Sequence, residues 1–520
     1  MLGNLLPSLC LSFLLLITAV HASSLSLDEL TISQLHDRYQ SKKVTVTSVT
    51  QAYLQRIEQQ NHQGPTLNAV ISLNPDALKR AKQLDHQLTL HHDSLPVLFG
   101  VPVLIKDNIE TKDSMPTSAG SLALKDNFAQ EDATLIKNLR EAGAIILGKT
   151  NLSEWANFRS THSSSGWSAL GGQTRNPYVL SRSSCGSSSG TGSAIAANWA
   201  LIGIGTETDG SIVCPASANG LVGVKPTLGL VSRTGVIPLA HSQDTAGPMT
   251  RTVTDAAILL SVMISKDNKD KITLSQPAQR PNYLTHLTKD GLKGKRIGVI
   301  NHPFHLQRDT APLYQAALSQ LEKQGATLIK DLAINTTEEM DNAEYDVLLY
   351  EFKHGINHYL EQQSLPYKSL TDLIAFNTKN RAQQMPYFDQ EIFLAAEQKG
   401  PLTDEQYQQA LANNGPAMRK LIDDLMQKHQ LDLLVMPTLN PSWNIDLING
   451  DHYTGSSSSY AAVSGYPSIT LPMGFVHELP VGISFVATAY QEALLFEAAY
   501  AYEQSTQHRK APKFIPSLIQ

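Results

Sequence analysis

A lysine at the end of an apolar segment is the first residue of this sequence that could carry out chemistry. Lys106 directly follows residues 95–105, LPVLFGVPVLI, a run typical of a strand buried on both faces. Burial favours the neutral amine, and lowering a lysine pKa from about 10.4 to near 7 corresponds to about 4 to 5 kcal/mol. A neutral lysine is a usable general base. Pairing with Asp107 or extension of the side chain into solvent are the alternatives.

Two serines in glycine-containing segments could act together with such a base. Ser187 lies in CGSSSGTGS, residues 185–193, where the glycines permit unusual backbone geometry and the alanine-rich residues 194–200 can form a helix. Ser211 lies in GIGTETDGSIVCPA, residues 203–216, after a glycine turn that follows a short apolar run. Successive backbone N–H groups in such a turn can bind an oxyanion. A flexible linker and an ordinary turn remain the structural alternatives.

The elements that must position these residues alternate between apolar runs and helical patterns. Residues 160–192 are rich in serine, glycine and threonine, which indicates an ordered functional loop. The alternation predicts an α/β fold in which a large mixed β-sheet is sandwiched by helices, as one catalytic domain without a dividing linker. Besides the run before Lys106, strands are predicted at 144–147, 201–204, 297–300, 433–436, 468–472 and 482–486, and helices at several places within 26–88 and at 133–142, 254–263, 311–324 and 492–504.

Longer motifs identify a family resemblance over most of the chain. The two serine segments and the lysine at the strand end, taken with these motifs, resemble the amidase signature family, and the variant residues resemble its bacterial peptide amidase branch. The motifs are KTNLSEWANF at 149–158, GGQTRNP at 171–177, GLVGVKPTLGLVSRTGVIP at 220–238, SQDTAGPMTRTVTD at 242–255, YEFKHGINHYL at 350–360, DLLVMPT at 432–438 and GYPSITLPMGF at 465–475.

The resemblance implies the amidase signature fold and a catalytic triad of Lys106, Ser187 and Ser211. In this family the middle serine is associated with a cis peptide, and it relays the proton of the nucleophile, here Ser211, to the lysine. The implied reaction is hydrolysis of a carboxylic amide, or of the C-terminal amide of a peptide, to an acid and ammonia or an amine. Segments 160–167, 350–367 and 443–459 are expected to shape the substrate pocket.

The same resemblance implies an oxyanion site made of backbone N–H groups in the turn before the nucleophile. The donors would belong to Thr208, Asp209, Gly210 and Ser211. Many family members have TGGS where this chain has TDGS, so that Asp209 replaces a glycine, and they have GGSSGG where it has CGSSSG. Because the donors are backbone groups, an outward-pointing Asp209 is compatible with the site and changes the charge beside the substrate.

Other functions are compatible with parts of the sequence. Residues 186–190 match G-x-S-x-G, which would make Ser188 the nucleophile of an α/β-hydrolase esterase, but the preceding residues are too polar for the strand that this motif needs. An inactive amidase-like binding protein or scaffold subunit is the non-enzymatic alternative. His354 and His358 have i, i+4 spacing without the glutamate of a metalloprotease, so no metal site and no cofactor are predicted.

The N-terminus has the pattern of an export signal. Residues 5–20 are apolar and Val-His-Ala follows, which predicts a signal peptide at 1–22, cleavage after Ala22 and a mature amidase domain at 23–520. The protein is therefore expected in the periplasm or outside the cell, without stable membrane association after cleavage. The first six residues contain no lysine or arginine, and an uncleaved anchor is the alternative.

Charge and cysteine content restrict the partners further. Lys plus Arg number 41 and Asp plus Glu 47 in 520 residues, a net charge of −6 without a basic cluster, which argues against nucleic acid. The expected partner is a small-molecule or peptide amide, and the sequence does not define an oligomeric state. Cys10 would leave with the signal, and Cys185 and Cys214 are expected to be two small buried thiols, with a single disulfide as the alternative.

Overall fold

The computed structural model describes residues 26–90, 95–279, 281–301 and 304–518. Its strands are β1 Val70–Leu73, β2 Pro102–Lys106, β3 Ile145–Thr150, β4 Trp167–Ser168, β5 Gly172–Gln173, β6 Ile202–Glu207, β7 Val222–Lys225, β8 Thr245–Thr250, β9 Arg296–Ile300, β10 Thr327–Leu332, β11 Leu433–Pro437, β12 Ser468–Val476 and β13 Leu479–Val486. Eleven of them form one sheet in the order β1-β3-β2-β6-β8-β7-β12-β13-β11-β9-β10, and β4 and β5 form a separate hairpin.

Helices flank this sheet. They are α1 Ile32–Gln40, α2 Val46–Asn61, α3 Ala77–Leu90, α4 Thr134–Glu141, α5 Ser189–Ala196, α6 Val213–Ala218, α7 Val253–Met263, α8 Thr310–Lys323, α9 Glu338–Gln362, α10 Leu370–Lys379, α11 Arg381–Gln384, α12 Glu391–Glu397, α13 Glu405–Asn413, α14 Gly415–His429, α15 Ser459–Ser464 and α16 Glu492–Thr506.

The sheet is mixed, as predicted. β2 pairs in parallel with both β3 and β6, whereas β8 pairs antiparallel with β6 and β7. β9 pairs in parallel with β10 and β11, and β12 pairs antiparallel with β7 and β13. Every residue of β2, β3 and β6 is buried, which explains why these segments lack the alternation of a half-exposed strand. The α/β fold with one large mixed sheet between helices is confirmed.

The strand before Lys106 is shorter than predicted. β2 begins at Pro102, because residues 97–100 form a turn in which Gly100 has a φ of +66°. Four strands of the sheet were not predicted, namely β1, β7, β8 and β10. β8 reads TAGPMT, and its glycine and proline remove the apolar run that marks a buried strand.

The stretch from 160 to 192 is largely irregular, with two exceptions. It contains the short β4–β5 hairpin, and its last residues, from Ser189, already belong to α5. The prediction of loop to residue 192 is therefore wrong for Ser189 to Gly192, because the helix begins inside the glycine-serine motif. Its small side chains pack in the protein interior: Thr191 bonds Thr150, and Gly190 leaves no room for a Cβ against the backbone of Asn151.

Cys185 and Cys214 form a disulfide, so the expectation of two free thiols is wrong. Their Cα atoms lie 5.9 Å apart, within the usual range for a bridge. The sequence did not reveal this proximity because it arises from two separate loops that meet: the backbone N–H of Ser188 donates to the carbonyl oxygen of Ser211 at 3.2 Å. The disulfide therefore joins the loop of Ser187 to the turn of Ser211.

The predicted signal peptide, residues 1–22, lies outside the described residues. Within the described part of the chain, no helix has the length and apolar character needed to cross a membrane.

Candidate active site

Lys106 is the last residue of β2, in the middle of the parallel part of the sheet, and its side chain is 0% exposed. Its Nζ donates to Ser187 Oγ at 2.7 Å, to Thr206 Oγ1 at 2.8 Å and to the carbonyl oxygen of Thr206 at 3.2 Å. Burial lowers the pKa of Lys106 to about 7, although the charges of Asp244 and Glu207 act to raise it. The amine is thus partly neutral at neutral pH.

The alternative partner of Lys106, the neighbouring Asp107, points elsewhere. Asp107 Oδ2 accepts hydrogen bonds from the hydroxyl and the backbone N–H of Ser118. Burial raises the pKa of Asp107 to about 6, although the charge of Lys149 opposes the shift. The lysine at the strand end is therefore directed to a hydroxyl and not to its sequence neighbour.

Ser187 is buried in the loop that leads into α5, and the peptide bond between Gly186 and Ser187 is cis. The carbonyl oxygen of Ser187 accepts from the backbone N–H of Ser153 at 3.0 Å, which fixes this loop against the chain after β3. A Cβ at Gly186 would overlap Ser153 Oγ, so a larger residue there would require the Ser153 side chain to move. The loop holds the Ser187 hydroxyl against the amine at the end of β2.

Ser211 follows the turn that ends β6. Gly210 precedes it with a φ of +76°, a conformation that glycine adopts without strain. Ser211 is 7% exposed, whereas Lys106 and Ser187 are 0% exposed. Of these three side chains, Ser211 is thus the one that a molecule arriving from solvent can reach.

The backbone donors around Ser211 divide into two groups. The N–H groups of Ile212 and Val213 both donate to Glu207 Oε2, at 2.7 and 3.0 Å. The N–H groups of Thr208, Asp209, Gly210 and Ser211, the four donors that the resemblance implies, donate to no acceptor among the described residues. Successive unpaired donors in the turn before a serine can bind a developing oxyanion.

Side chains from other elements hold this turn in place. Thr208 Oγ1 donates to Asp244 Oδ1 at 2.5 Å, and Gln243 Nε2 donates to the carbonyl oxygen of Thr208 at 3.3 Å. Asp209 Oδ2 accepts from Ser459 Oγ at 2.6 Å. The carboxylate that replaces the commoner glycine is thus engaged by a neighbouring helix.

Ser188, the serine of the G-x-S-x-G match, is fully buried and bonded on both sides of its hydroxyl. Its Oγ donates to the carbonyl oxygen of Thr206 at 3.1 Å and accepts from the N–H of the same residue at 3.2 Å. No strand precedes it, so the strand–turn–helix of an α/β-hydrolase nucleophile is absent from the described loop.

The segments expected to shape the pocket contribute unequally. Residues 443–459 reach the turn through Ser459, and residues 160–167 are tied to the same loop where the N–H of Ser165 donates to Asp451 Oδ2 at 2.9 Å. Within 350–367, Phe352 lines a cavity together with Thr206 and Thr208, whereas Tyr359 is bonded to Glu110 and Asn127. The part of α9 that contacts the turn is Glu344, which precedes the expected segment.

Three residues of the site were not anticipated from the sequence: Thr206, Asp244 and Glu344. Thr206 lies in the GTETDGS motif, and its position in a strand beside β2 was the available signal. Asp244 lies in the motif at 242–255, to which no role at the site was assigned, and Glu344 comes from a distant segment without a motif. Among the described residues, no group of His, Cys, Asp and Glu is arranged to hold a metal ion.

Comparisons with known proteins agree with this geometry. The family described as Amidase matches residues 48–496. A probable amidase of Arabidopsis thaliana is 40% identical over 504 residues, covering 95% of this chain and 93% of that protein. The native peptide amidase of Stenotrophomonas maltophilia superposes with a TM-score of 0.89 at 47% identity, covering 94% of this chain and 99% of that one. A glutamyl-tRNA(Gln) amidotransferase subunit from Thermoanaerobacter pseudethanolicus is 32% identical over 94% of this chain and 99% of its own length.

Proposed function

Because the chain belongs to the amidase family and is an enzyme that acts on amides, we propose that it hydrolyses its substrate through an acyl-enzyme on Ser211. The observation that carries this mechanism is the contact between a buried amine and a buried hydroxyl, Lys106 and Ser187, beside a serine that solvent can reach. The substrate that we propose is a peptide with a C-terminal amide or a simple carboxylic amide.

The proton of Ser211 travels to the lysine in two steps. A neutral amine has two N–H groups and one lone pair; the N–H groups fit the two oxygen atoms of Thr206, and the lone pair then faces Ser187. Among the described hydrogen bonds, neither Lys106 Nζ nor Ser187 Oγ contacts Ser211 Oγ; Ser187, which contacts the amine, is the hydroxyl that we assign to the relay. As Ser211 Oγ attacks the amide carbonyl carbon, its proton moves to Ser187, and the proton of Ser187 moves to Lys106.

The tetrahedral intermediate carries its negative charge on the former carbonyl oxygen. The free N–H groups of Thr208, Asp209, Gly210 and Ser211 are the candidate donors that would stabilise it. The protonated relay then delivers its proton to the departing nitrogen, which leaves as ammonia or an amine. Water attacks the resulting ester by the same relay, and the acid is released from Ser211.

A C-terminal peptide amide is the substrate class that the structural similarity favours. The peptide amidase of Stenotrophomonas maltophilia matches over nearly the full length of both chains. A panel that contains peptide amides, the same peptides as free acids, and short aliphatic and aryl amides tests this class. We expect ammonia release to be fastest with peptide amides, and faster release from aryl amides would contradict the assignment.

Covalent labelling tests the assignment of the nucleophile. A fluorophosphonate is expected to modify Ser211 in the native protein and to leave Ser211→Ala and Lys106→Ala unlabelled. Ser188→Ala is the matched control, because Ser188 is a neighbouring buried serine whose hydroxyl bonds only backbone atoms of Thr206. Retained labelling in Ser211→Ala, or its loss in Ser188→Ala alone, would favour the esterase alternative with Ser188 as nucleophile. A native protein that is folded but unlabelled would indicate an inactive binding protein.

A role within an amidotransferase complex is the second candidate, favoured by the full-length match to a glutamyl-tRNA(Gln) amidotransferase subunit. The disulfide argues against it, since disulfides are rare in the reducing cytosol. Assaying ammonia release by the purified chain in the absence of any partner distinguishes the two candidates. An independent amidase is active without partners, whereas a subunit of such a complex is inactive until its partners are added.

We also propose export, supported by the apolar N-terminal run and by the disulfide. The protein recovered from the periplasm or medium is expected to begin at Ser23. An intact mass that retains residues 1–22 would contradict cleavage and favour the anchor.

A further inference from the structure

The oxyanion turn is in contact with a carboxylic acid that the proposed mechanism does not use. Glu344 on α9 lies within hydrogen-bonding contact of the Asp209 carboxylate. Glu344 Oε1 accepts from Gln243 Nε2 at 2.8 Å, and that same amide nitrogen donates to the carbonyl oxygen of Thr208. Gln243 Oε1 in turn accepts from Asn414 Nδ2 at 3.1 Å, so this residue is held from the start of α14 as well.

The two oxygens of Asp209 have different surroundings. Oδ2 accepts the hydroxyl of Ser459, whereas Oδ1 is buried and has no donor N–H or O–H among the described residues when Glu344 is counted as an anion. An unpaired buried carboxylate oxygen is costly, and two carboxylates in contact repel each other. One proton on Glu344 removes both problems, since a protonated carboxyl donates a hydrogen bond to Asp209.

On the basis of the proposed function, we infer that Glu344 is a positioning residue: in its protonated form it donates to Asp209 and holds the backbone donors of the oxyanion turn in place. Glu344 makes no described contact with Ser211. It acts through Asp209, whose N–H is one of the unpaired donors. Asp209, which replaces a glycine, and Glu344 then act together to position the turn.

The charges around Glu344 favour the protonated form. Burial, together with the charge of Asp209, raises the pKa of Glu344 to about 8. Asp341, one turn earlier on α9, is an exposed carboxylate that lines the same cavity of about 420 Å³. The partners from the other packed elements, Gln243 and Ser459, are neutral.

The charge of Asp209 also acts on two buried groups at the carboxyl ends of β6 and β7, Glu207 and Lys225. The Asp209 charge contributes to a raised pKa of Glu207, whose main cause is burial, and it opposes the burial that lowers the pKa of Lys225 to about 8. No lysine or arginine lines the cavity next to Glu344 among the described residues. A cation that would stabilise the ionised pair is therefore missing on that side.

The consequence is a loss of activity on the alkaline side. Glu344 is protonated at neutral pH and loses its proton as the pH rises through about 8. Ionisation removes the donor to Asp209 and places a second negative charge beside the turn that must bind an oxyanion. Both effects are expected to lower kcat as the pH rises.

The test compares kcat and KM between about pH 6 and 10 for the full chain and three variants. Glu344→Gln keeps a neutral donor of the same shape, so it is expected to lose the alkaline decline. Glu344→Ala removes the donor and is expected to lower kcat about tenfold at neutral pH, with a smaller change in KM, and Glu344→Gln rescues most of that loss. Asp341→Asn is the matched control, because it removes a carboxylate from the same helix without a contact to Asp209; its alkaline decline is expected to remain.

An activity-independent measurement separates this inference from the proposed function. A carboxyl whose pKa is raised in the folded state stabilises the protein less as the pH climbs from its unfolded value toward its folded value. The Tm of Glu344→Gln minus that of the wild type is therefore expected to grow between about pH 5 and 8 and to level off above.

A constant Tm difference, or a Glu344→Gln variant that keeps the alkaline decline, would overturn the inference even if the enzyme is an amidase. Absence of amide hydrolysis and of Ser211 labelling would instead overturn the proposed function, and the Tm comparison would still decide whether Glu344 carries the proton.

Discussion

Burial alone does not make a lysine a base in this protein. Three lysines, Lys106, Lys149 and Lys225, have 0% exposure, and burial lowers the pKa of each. Lys149 donates to a backbone carbonyl and to Thr117, and Lys225 donates to the carbonyl of Pro226. Lys106 alone among the three has a serine hydroxyl as a partner. The chemistry therefore depends on what the amine contacts.

This contact leads to a prediction about the acid side of the pH profile. Lys106 must be neutral to accept a proton, and its pKa is lowered to about 7. The rate of fluorophosphonate labelling is expected to rise about tenfold per pH unit below 7 and to flatten above it. A midpoint near the ordinary lysine value of about 10.4 would show that the amine is charged and is not the base.

Among individual residues, the sequence predicted the site residues whose types are unusual for the segment in which they occur. A lysine after an apolar run and serines between glycines stand out, and the structure does bring Lys106 and Ser187 into contact. Glu344 does not stand out, since a glutamate on a long helix is ordinary. Its role follows from a contact with Asp209 that depends on how α9 packs over the turn.

At the scale of elements, the site is a junction of β2, β6 and the loop before α5. β2 and β6 are parallel neighbours, so their carboxyl ends present Lys106 and the turn before Ser211 at the same edge of the sheet. The loop before α5 then lays Ser187 across this edge. The disulfide Cys185–Cys214 closes the arrangement, because its cysteines lie two residues before Ser187 and three residues after Ser211.

We predict that removing this disulfide lowers both stability and kcat. The bridge closes a loop of 29 residues, for which the chain-entropy estimate is about 3 to 4 kcal/mol. Cys185→Ser/Cys214→Ser is expected to lower Tm by about 3 to 4 °C in a chain of this length and to lower kcat more than it raises KM. The double variant, compared with the native protein with and without a reductant, checks this. An unchanged kcat would show that the loops hold the serines without the bridge.

Strands buried on both faces were predictable because their residues are mostly apolar, and the buried polar residues of β2, β3 and β6 lie at the carboxyl ends of these strands. The helices that flank them were predictable from amphipathic spacing, as in α1 and α4. Strand β8 was not predictable, because its sequence TAGPMT takes its strand conformation from pairing with β6 and β7. The disulfide was not predicted for the same reason: like the pairing of β8, it depends on tertiary contacts, here between two loops that are separate in the sequence.

At the scale of the whole molecule, one sheet runs through the domain, and segments near the two ends of the described chain are joined beside the end of α5. Arg509, after α16, donates to both carboxylate oxygens of Glu29, before α1, at 2.9 and 3.1 Å. The guanidinium also donates to the hydroxyl of Tyr178 and to the carbonyl oxygen of Ala196 at the end of α5. Arg509 thus connects α5, the helix that follows Ser187, to segments near both ends of the described chain.

The last prediction concerns this connection. Arg509→Ala leaves Glu29 with Asn198 Nδ2 as its remaining side-chain donor and removes the guanidinium donor from the carbonyl of Ala196. We expect a loss of about 2 to 3 kcal/mol, since the Glu29 side chain is 38% exposed and solvent screens part of the effect. With an unfolding entropy of about 2.1 cal/mol/K per residue, this corresponds to a fall in Tm of about 2 to 3 °C.

Differential scanning calorimetry measures this change in Tm, with Arg308→Ala as the control. Arg308 pairs with Asp309 but is 91% exposed, so its removal is expected to change Tm by less than about 1 °C. Since Arg509 does not contact Lys106, Ser187 or Ser211, kcat well below Tm is expected to stay near that of the native protein. A large fall in kcat at unchanged Tm would instead show that the chain ends control the position of α5 and, through it, of Ser187.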